Sequence, residues 1–224
     1  MQAEREWLIR TISSLGSTVE KIDFKKELKE LYAPSSKDFS VVNIPKMSFL
    51  MIDGEGNPNT AKGYSDAVEA LYSVSYVLKF ASKKQLSKDY GVAPLEGLWS
   101  AQDPSAFGRR AKDEWRWTMM IMQPAWITAD MVSAALETAK AKKNLPALLK
   151  LRFESYDEGE SVQILHIGSY DEEAPTLKRL HQEYMPEHGL TFNGQHHEIY
   201  LGDPRKTAPA KLKTILRQPV KAMK

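Results

Sequence analysis

One order of elements reads twice along this chain: strand, helix, strand, strand, first over about 38–124 and again over about 146–220. In the first pass, apolar residues from Phe39 to Ile52 predict a strand. Pro45 marks an edge or a bulge there, because proline has no N–H to give to a ladder. Asp53-Gly54-Glu55-Gly56-Asn57-Pro58-Asn59 has the composition of a loop. Ala67, Leu71, Val74 and Leu78 put one apolar stripe on a helix over Tyr64–Phe80, with Val68, Tyr72 and Tyr76 as a second row. Strands are expected at Leu95–Ser100 and Trp115–Met122, then a helix over Thr128–Lys143 with Thr128 or Asp130 as N-cap. The second pass gives strands at Ala147–Glu154 and Ser161–Ile167, a helix at Ala174–Glu187, and strands at His196–Leu201 and Leu212–Pro219. Three anchors relate the passes. Tyr90-Gly91 matches His188-Gly189, Gly97 matches Gly194, and Gln123-Pro124 matches Gln218-Pro219, at offsets of 98, 97 and 95 residues.

The expected fold is α+β: tandem strand–helix–strand–strand modules forming one antiparallel sheet with helices on one face. A ligand groove is expected at the pseudo-twofold junction of the modules. Residues 23–224 are read as a single domain, opened by a short charged helix over 23–32 that ends at Ala33-Pro34. Residues 1–22 are read as an N-terminal extension, helical by the spacing of Trp7, Leu8, Ile12 and Leu15.

Composition narrows the function classes. With 42% hydrophobic and 27% charged residues, the chain of 224 can bury a core. Its net charge of +2 lacks the basic excess of a nucleic-acid surface, so direct nucleic-acid binding is not expected. There is no cysteine, which excludes disulfide frameworks, thiol nucleophiles and cysteine-ligated metals and agrees with a cytoplasmic location. No apolar run approaches the ~18 residues of a membrane span, and no membrane association is expected. Dinucleotide, phosphate-loop and nucleophile-elbow glycine motifs are all absent.

Two local patterns carry chemistry. Trp115, Trp117 and Met119 alternate onto one face of a strand, Trp99 falls on a neighbouring strand, and Tyr72 and Tyr76 lie one helical turn apart. Such rings either fill a core or form a cage for a planar or cationic ligand. In His196-His197-Glu198-Ile199-Tyr200, alternation sends His196, Glu198 and Tyr200 to one face and His197 and Ile199 to the other. Glu198 is then either a solvated surface carboxylate or one that meets a ligand cation or activates water. All five histidines fall between His166 and His197, but no ligand pair has metal spacing, and adjacent His196 and His197 point apart. No metal and no cofactor are expected.

Several segments together carry a resemblance to a known family. They are Leu95-Glu96-Gly97-Leu98-Trp99, Trp115-Arg116-Trp117, Gly194 through Pro204 with its Tyr200-Leu201-Gly202-Asp203-Pro204 element, and Lys213 through Val220. With Ile52–Pro58 and His166–Tyr170 they resemble the GyrI-like small-molecule-binding family over about 23–220. The resemblance implies a stand-alone binder of planar, hydrophobic, often cationic compounds, related to effector domains of multidrug-responsive regulators. It also implies, as an alternative, a hydrolase that opens the cyclopropane of cyclopropanoid DNA-alkylating compounds. The ligand-binding residues so implied are Trp99, Trp115, Trp117, Tyr72, Tyr76, Met119, Glu183, Tyr184, His196 and Glu198. In the hydrolase case Glu198 orients water and Tyr72 donates to the carbonyl oxygen. A third reading has the aromatic groove grip a protein partner. Oligomeric state is not legible in the sequence.

Overall fold

The structure, a computed structural model, describes residues 20–103 and 105–223. β1 (Lys21–Ile22) precedes two single-turn helices, α1 (Phe24–Glu27) and α2 (Lys29–Tyr32). Asp23 caps α1 by accepting from the Lys25 N–H. The helix expected within 1–22 otherwise lies outside the described residues.

The strand expected over Phe39–Ile52 is two strands, β2 (Ser40–Ile44) and β3 (Met47–Glu55). Pro45 falls between them, where a missing N–H costs no ladder bond. α3 (Lys62–Leu86) follows, longer than its apolar stripe because Ala81, Lys83, Lys84, Gln85 and Leu86 beyond Phe80 also favour helix. Then come β4 (Asp89–Tyr90), which pairs in parallel with β1, β5 (Leu95–Ala101), α4 (Ser105–Gly108) and β6 (Trp115–Gln123). α5 (Ala129–Lys142) starts as expected at Thr128, whose hydroxyl accepts from the Met131 N–H.

The strand expected at Ala147–Glu154 is a correction. Pro146 opens a 3-10 turn over Pro146–Lys150 that buries Ala147 and Leu148, and only then does β7 (Arg152–Tyr156) begin. β8 (Gly159–Ile167) leads to a 3-10 turn at Tyr170–Glu172, then α6 (Ala174–Arg179), a π turn at Leu180–Tyr184 and α7 (Met185–Glu187). β9 (Leu190–Phe192), β10 (His196–Tyr200) and β11 (Lys213–Ala222) complete the chain.

The main sheet is antiparallel in the order β2-β8-β11-β10-β5-β6-β3-β7, with β9 added alongside β11. This order is its own mirror about the β10–β5 contact. The ladders agree in detail: β3 pairs β7 from Met47↔Tyr156 to Met51↔Arg152, and β8 pairs β2 from Gly159↔Ile44 to Gln163↔Ser40. Each half therefore gives its outermost strand to the other half. The pseudo-twofold axis falls at the pair Gly97↔Glu198. Gly97 thus corresponds to Glu198, not to Gly194. The offset between halves is 101 residues in the central strands, whereas Trp117 and Thr214, the partners of Trp99 and Tyr200, are 97 apart. Gln123-Pro124 and Gln218-Pro219 are not equivalent, because insertions between strands shift each ladder separately.

α3 packs on one sheet face through Ala67, Ala70, Leu71, Val74 and Leu78, all fully buried. Leu180 and Met185 bring the second helical segment onto the same face, against Val162 and Val220. The other face carries Ile44, Ile199 and Ile215, and α2 covers them with Leu31 and Tyr32.

A buried polar network underlies that cover. Tyr32 donates to Glu96 Oε1 (2.9 Å). His197 contacts Glu158 Oε1 (2.9 Å) and lies 3.0 Å from Glu96 Oε2 at an angle that misses a hydrogen bond. Arg217 reaches Glu158 (3.3 Å), Gln163 and the Leu31 carbonyl. Burial pulls the His197 imidazole down, but Glu158 and Glu96 outweigh it and hold the group up at about 9.

Candidate functional site

On the helix face of the sheet, the residues at and beside the pseudo-twofold axis are polar and aromatic rather than aliphatic. Glu198 stands there, directly opposite Gly97. Strand alternation puts His196 and Tyr200 beside it on β10, Trp99 on β5, and Trp115, Trp117 and Met119 on β6. The missing side chain at Gly97 is what makes room. A Cβ there would lie 3.0 Å from Trp99 Nε1, 3.2 Å from Met119 Sδ and 3.3 Å from the Tyr200 hydroxyl.

Those atoms form a hydrogen-bonded chain. Trp99 Nε1 donates to the Tyr200 hydroxyl (3.0 Å), which donates to Glu198 Oε2 (2.8 Å). His196 Nε2 is 3.5 Å from the other Glu198 oxygen. The Glu198 side chain is 15% exposed, so it is sheltered without being sealed.

Rings from both helical segments close over this chain. Tyr64 of α3 stacks on Trp99 (6.4 Å between centroids) and meets Trp117 edge-on (5.3 Å). Trp115 meets Trp99 edge-on (5.6 Å) and is covered by Phe107 of α4, with Lys112 Nζ 5.7 Å from its ring. Tyr170 meets Tyr200 edge-on (5.6 Å). Burial, reinforced by the Glu198 carboxylate, pushes the Tyr64 and Tyr200 phenols well up, and burial with Glu173 and Glu198 pushes Tyr170 to about 12. All three therefore remain protonated at neutral pH, and Tyr200 uses its proton to bond Glu198. Glu173 is also buried here, and burial followed by repulsion from Glu198 raises its carboxyl to about 10.

Of the expected residues, the structure gathers Trp99, Trp115, Trp117, Met119, His196 and Glu198. Trp117 is the wall rather than the opening: it is 3% exposed, donates to the Gly56 carbonyl (3.3 Å), and fills the space where Gly54 lacks a Cβ. Tyr72 is half-buried against the same core cluster as Tyr64, stacked on Tyr76 and near Asp203 and Arg205. Tyr76 is 49% exposed. Glu183 is exposed, and Tyr184 stacks on His188 and Phe39 in a separate apolar cluster, so neither reaches the axis. The π turn at Leu180–Tyr184 explains this, because its extra residue per turn rotates the following side chains off α-helical phase.

Tyr64, Tyr170, Glu173 and Tyr200 were not among the expected site residues. Tyr64 extends the Ala67–Leu71–Val74 stripe by one turn, and Tyr200 shares its strand face with Glu198, so both carried a signal. Tyr170 and Glu173 sit in a polar turn that periodicity does not mark.

Two clefts of about 280 Å³ and about 460 Å³ lie on the Gly54–Trp117 side, lined in common by Asp53, Glu55 and Lys150. Glu198 lines neither, and the site's own rings pack the space around it. Among the described residues, no three His, Asp or Glu side chains gather as a metal site. No helix among them is long and apolar enough to cross a membrane.

Comparison with known proteins agrees with this architecture. The model of the GyrI-like small molecule binding domain matches residues 37–221. Among solved structures, an uncharacterized conserved protein from Listeria innocua is 40% identical, with TM-score 0.82, over 90% of this chain and 100% of its own. A protein from Listeria innocua described as a hydrolase is 39% identical with TM-score 0.78 over the same shares. The EcmrR C-terminal domain, 10% identical with TM-score 0.51 over 83% of this chain and 98% of its own, shares the fold alone. No curated protein matches.

Proposed function

The chain belongs to the GyrI-like small molecule binding family, and on that premise we propose that it binds a planar hydrophobic molecule, often cationic, and hydrolyses it at Glu198. The observation that carries this reading is the Trp99–Tyr200–Glu198 chain set opposite Gly97 under a roof of aromatic rings. A flat ligand stacks on Trp99 and Trp115 in place of the rings that now cover them, and Glu198 offsets its positive charge. The relative described as a hydrolase, whose whole length this chain spans at 39% identity, supports turnover over simple retention.

For a cyclopropane conjugated to a dienone, the chemistry is the addition of one water. The water oxygen bonds to a ring carbon, and its proton passes to Glu198. The electron pair of the broken carbon–carbon bond runs into the conjugated carbonyl, whose oxygen takes up a proton from solvent and becomes a phenol hydroxyl, while Glu198 gives the proton it took from water back to solvent. In this reading Tyr200 fixes the carboxylate that orients the water, and the Tyr64 and Tyr170 phenols donate to the oxygen where charge develops. The donor role expected of Tyr72 falls in this reading to Tyr64 and Tyr170, since Tyr72 stacks on Tyr76 beside Asp203 and Arg205.

A second reading is sequestration without turnover. Both Glu198 oxygens already have neighbours, Tyr200 at 2.8 Å and His196 at 3.5 Å, an arrangement equally suited to holding a cation. Tryptophan fluorescence titrated with a cyclopropanoid, followed by mass spectrometry, separates the two. Saturable quenching with the compound gaining one water is expected, and Glu198→Gln should slow turnover by about 10²–10⁴-fold with binding retained. Quenching with no change in mass leaves a binder. Wild-type turnover by Glu198→Gln removes Glu198 from the chemistry.

A further inference from the structure

The cluster contains a carboxyl that hydrolysis at Glu198 does not use. Glu173 links the Tyr170–Glu172 turn to α6 and is 4% exposed. Its Oε1 is buried with no hydrogen-bond partner. The group faces Thr214 on β11, the cross-strand neighbour of Tyr200, and Thr214 Oγ1 itself makes no hydrogen bond. Glu173 is therefore held over the same sheet face as Glu198, one strand away, with an unmet polar atom in the site.

The groups around it explain why it is unpaired. Glu198 and Tyr200 face it from β10, Thr214 from β11, Tyr170 and Asp171 from its own turn, and Lys112 from the segment before β6. Lys112 (3.3 Å) and Arg110 are both engaged by Asp171. Among the described residues no cation pairs with Glu173. Two carboxyls on one sheltered face, with Lys112 and Arg110 held by Asp171 and only the His196 imidazole beside Glu198 (3.5 Å), are most stable with a single negative charge and one proton kept on the pair.

We propose that Glu173 and Glu198 form a one-proton carboxyl pair that selects ligands by charge, and that a planar dication is admitted by displacing the proton from Glu173. A monocation balances Glu198 alone and leaves the proton in place. A second positive centre makes the second carboxylate affordable. This rests on the small-molecule reading of the site but not on turnover.

The test uses two probes of one shape: the dication 1,1′-dimethyl-4,4′-bipyridinium and the monocation 1-methyl-4-phenylpyridinium. Neither titrates. Calorimetry of the full chain in two buffers of different ionisation enthalpy counts protons released on binding. The dication should release about one proton, with affinity rising about tenfold per pH unit between pH 7 and 8, while the monocation releases none and its affinity stays flat. In Glu173→Gln the dication should lose its proton release and its pH slope. Dication binding with no proton release, or release that persists in Glu173→Gln, overturns the pair while leaving the small-molecule site intact. Failure of both probes to bind at millimolar concentration overturns the pair and the cationic-ligand reading together.

Discussion

Replacing Gly97 with alanine adds one methyl group at the pseudo-twofold axis, and the structure states what that methyl meets. Gly97 is not among the glycines with positive φ, so its backbone would accept alanine and any cost must be steric. The new Cβ would sit at 3.0, 3.2 and 3.3 Å from Trp99 Nε1, Met119 Sδ and Tyr200 Oη, pressed against both atoms of the Trp99–Tyr200 hydrogen bond. Overpacking of this kind costs about 1–3 kcal/mol. Removing a glycine from the unfolded chain returns about 0.4–1 kcal/mol. The net loss should be about 1–2 kcal/mol, which for a chain of this size lowers Tm by about 2–8 °C. Gly63 in α3 is the control, since a Cβ there meets nothing within 4 Å. Thermal and urea unfolding of Gly97→Ala and Gly63→Ala, with tryptophan fluorescence as the probe, give the comparison. If Gly97→Ala matches Gly63→Ala in stability and keeps the wild-type emission, the rings do not close on Gly97 and the account of the site is wrong.

Two further outcomes concern pH. His197 is held up at about 9 in the folded protein against an ordinary value near 6.5, so its contribution is complete below about pH 6.5 and is lost as pH rises through about 9. Stability should fall over that window by an amount on the order of 3 kcal/mol, and His197→Gln should flatten the slope; an unchanged slope in the variant would refute the assignment. Glu173, raised from 4.5 to about 10, works in the same sense: the unfolded chain releases its proton first, and stability drops as pH climbs between those values. Glu173→Gln should therefore be more stable than wild type at pH 8 by at least about 1 kcal/mol, with the gap closing towards pH 4.5. A gap independent of pH in paired melting curves would show that Glu173 is not held protonated.

Much of the architecture was legible because two periodicities dominate it. The stripe from Ala67 to Leu78 marked α3, and strand alternation put Trp115 with Trp117, and His196 with Glu198 and Tyr200, on shared strand faces as the structure has them. The strand exchange was hidden. Pro45 reads as an irregularity within one strand, yet it separates β2 from β3, which pair with opposite halves, and no local pattern encodes a partner more than a hundred residues away. The Gly97–Gly194 match was misleading for a similar reason: glycines recur at turns, whereas Gly97 is a mid-strand position emptied to accommodate Tyr200 and Trp99. Tyr184 and Glu183 were expected at the site from the family resemblance, and the π turn at Leu180–Tyr184 turns them away from the axis. Glu173 was invisible because a carboxylate in a polar turn looks solvated until the sheet beneath it is known.

The exchanged edge strands make the two halves interlocked, like clasped hands. β7 leaves the second half to finish the first, and β2 returns the exchange. Neither half can melt without stripping a strand from the other, so unfolding should be one cooperative event with no half-folded stage. A backbone cut between α5 and β7 would leave two fragments that remain associated through these ladders. A ligand seated on Glu198 rests on the seam itself, and the free energy of its binding is shared by both halves in a single melting transition.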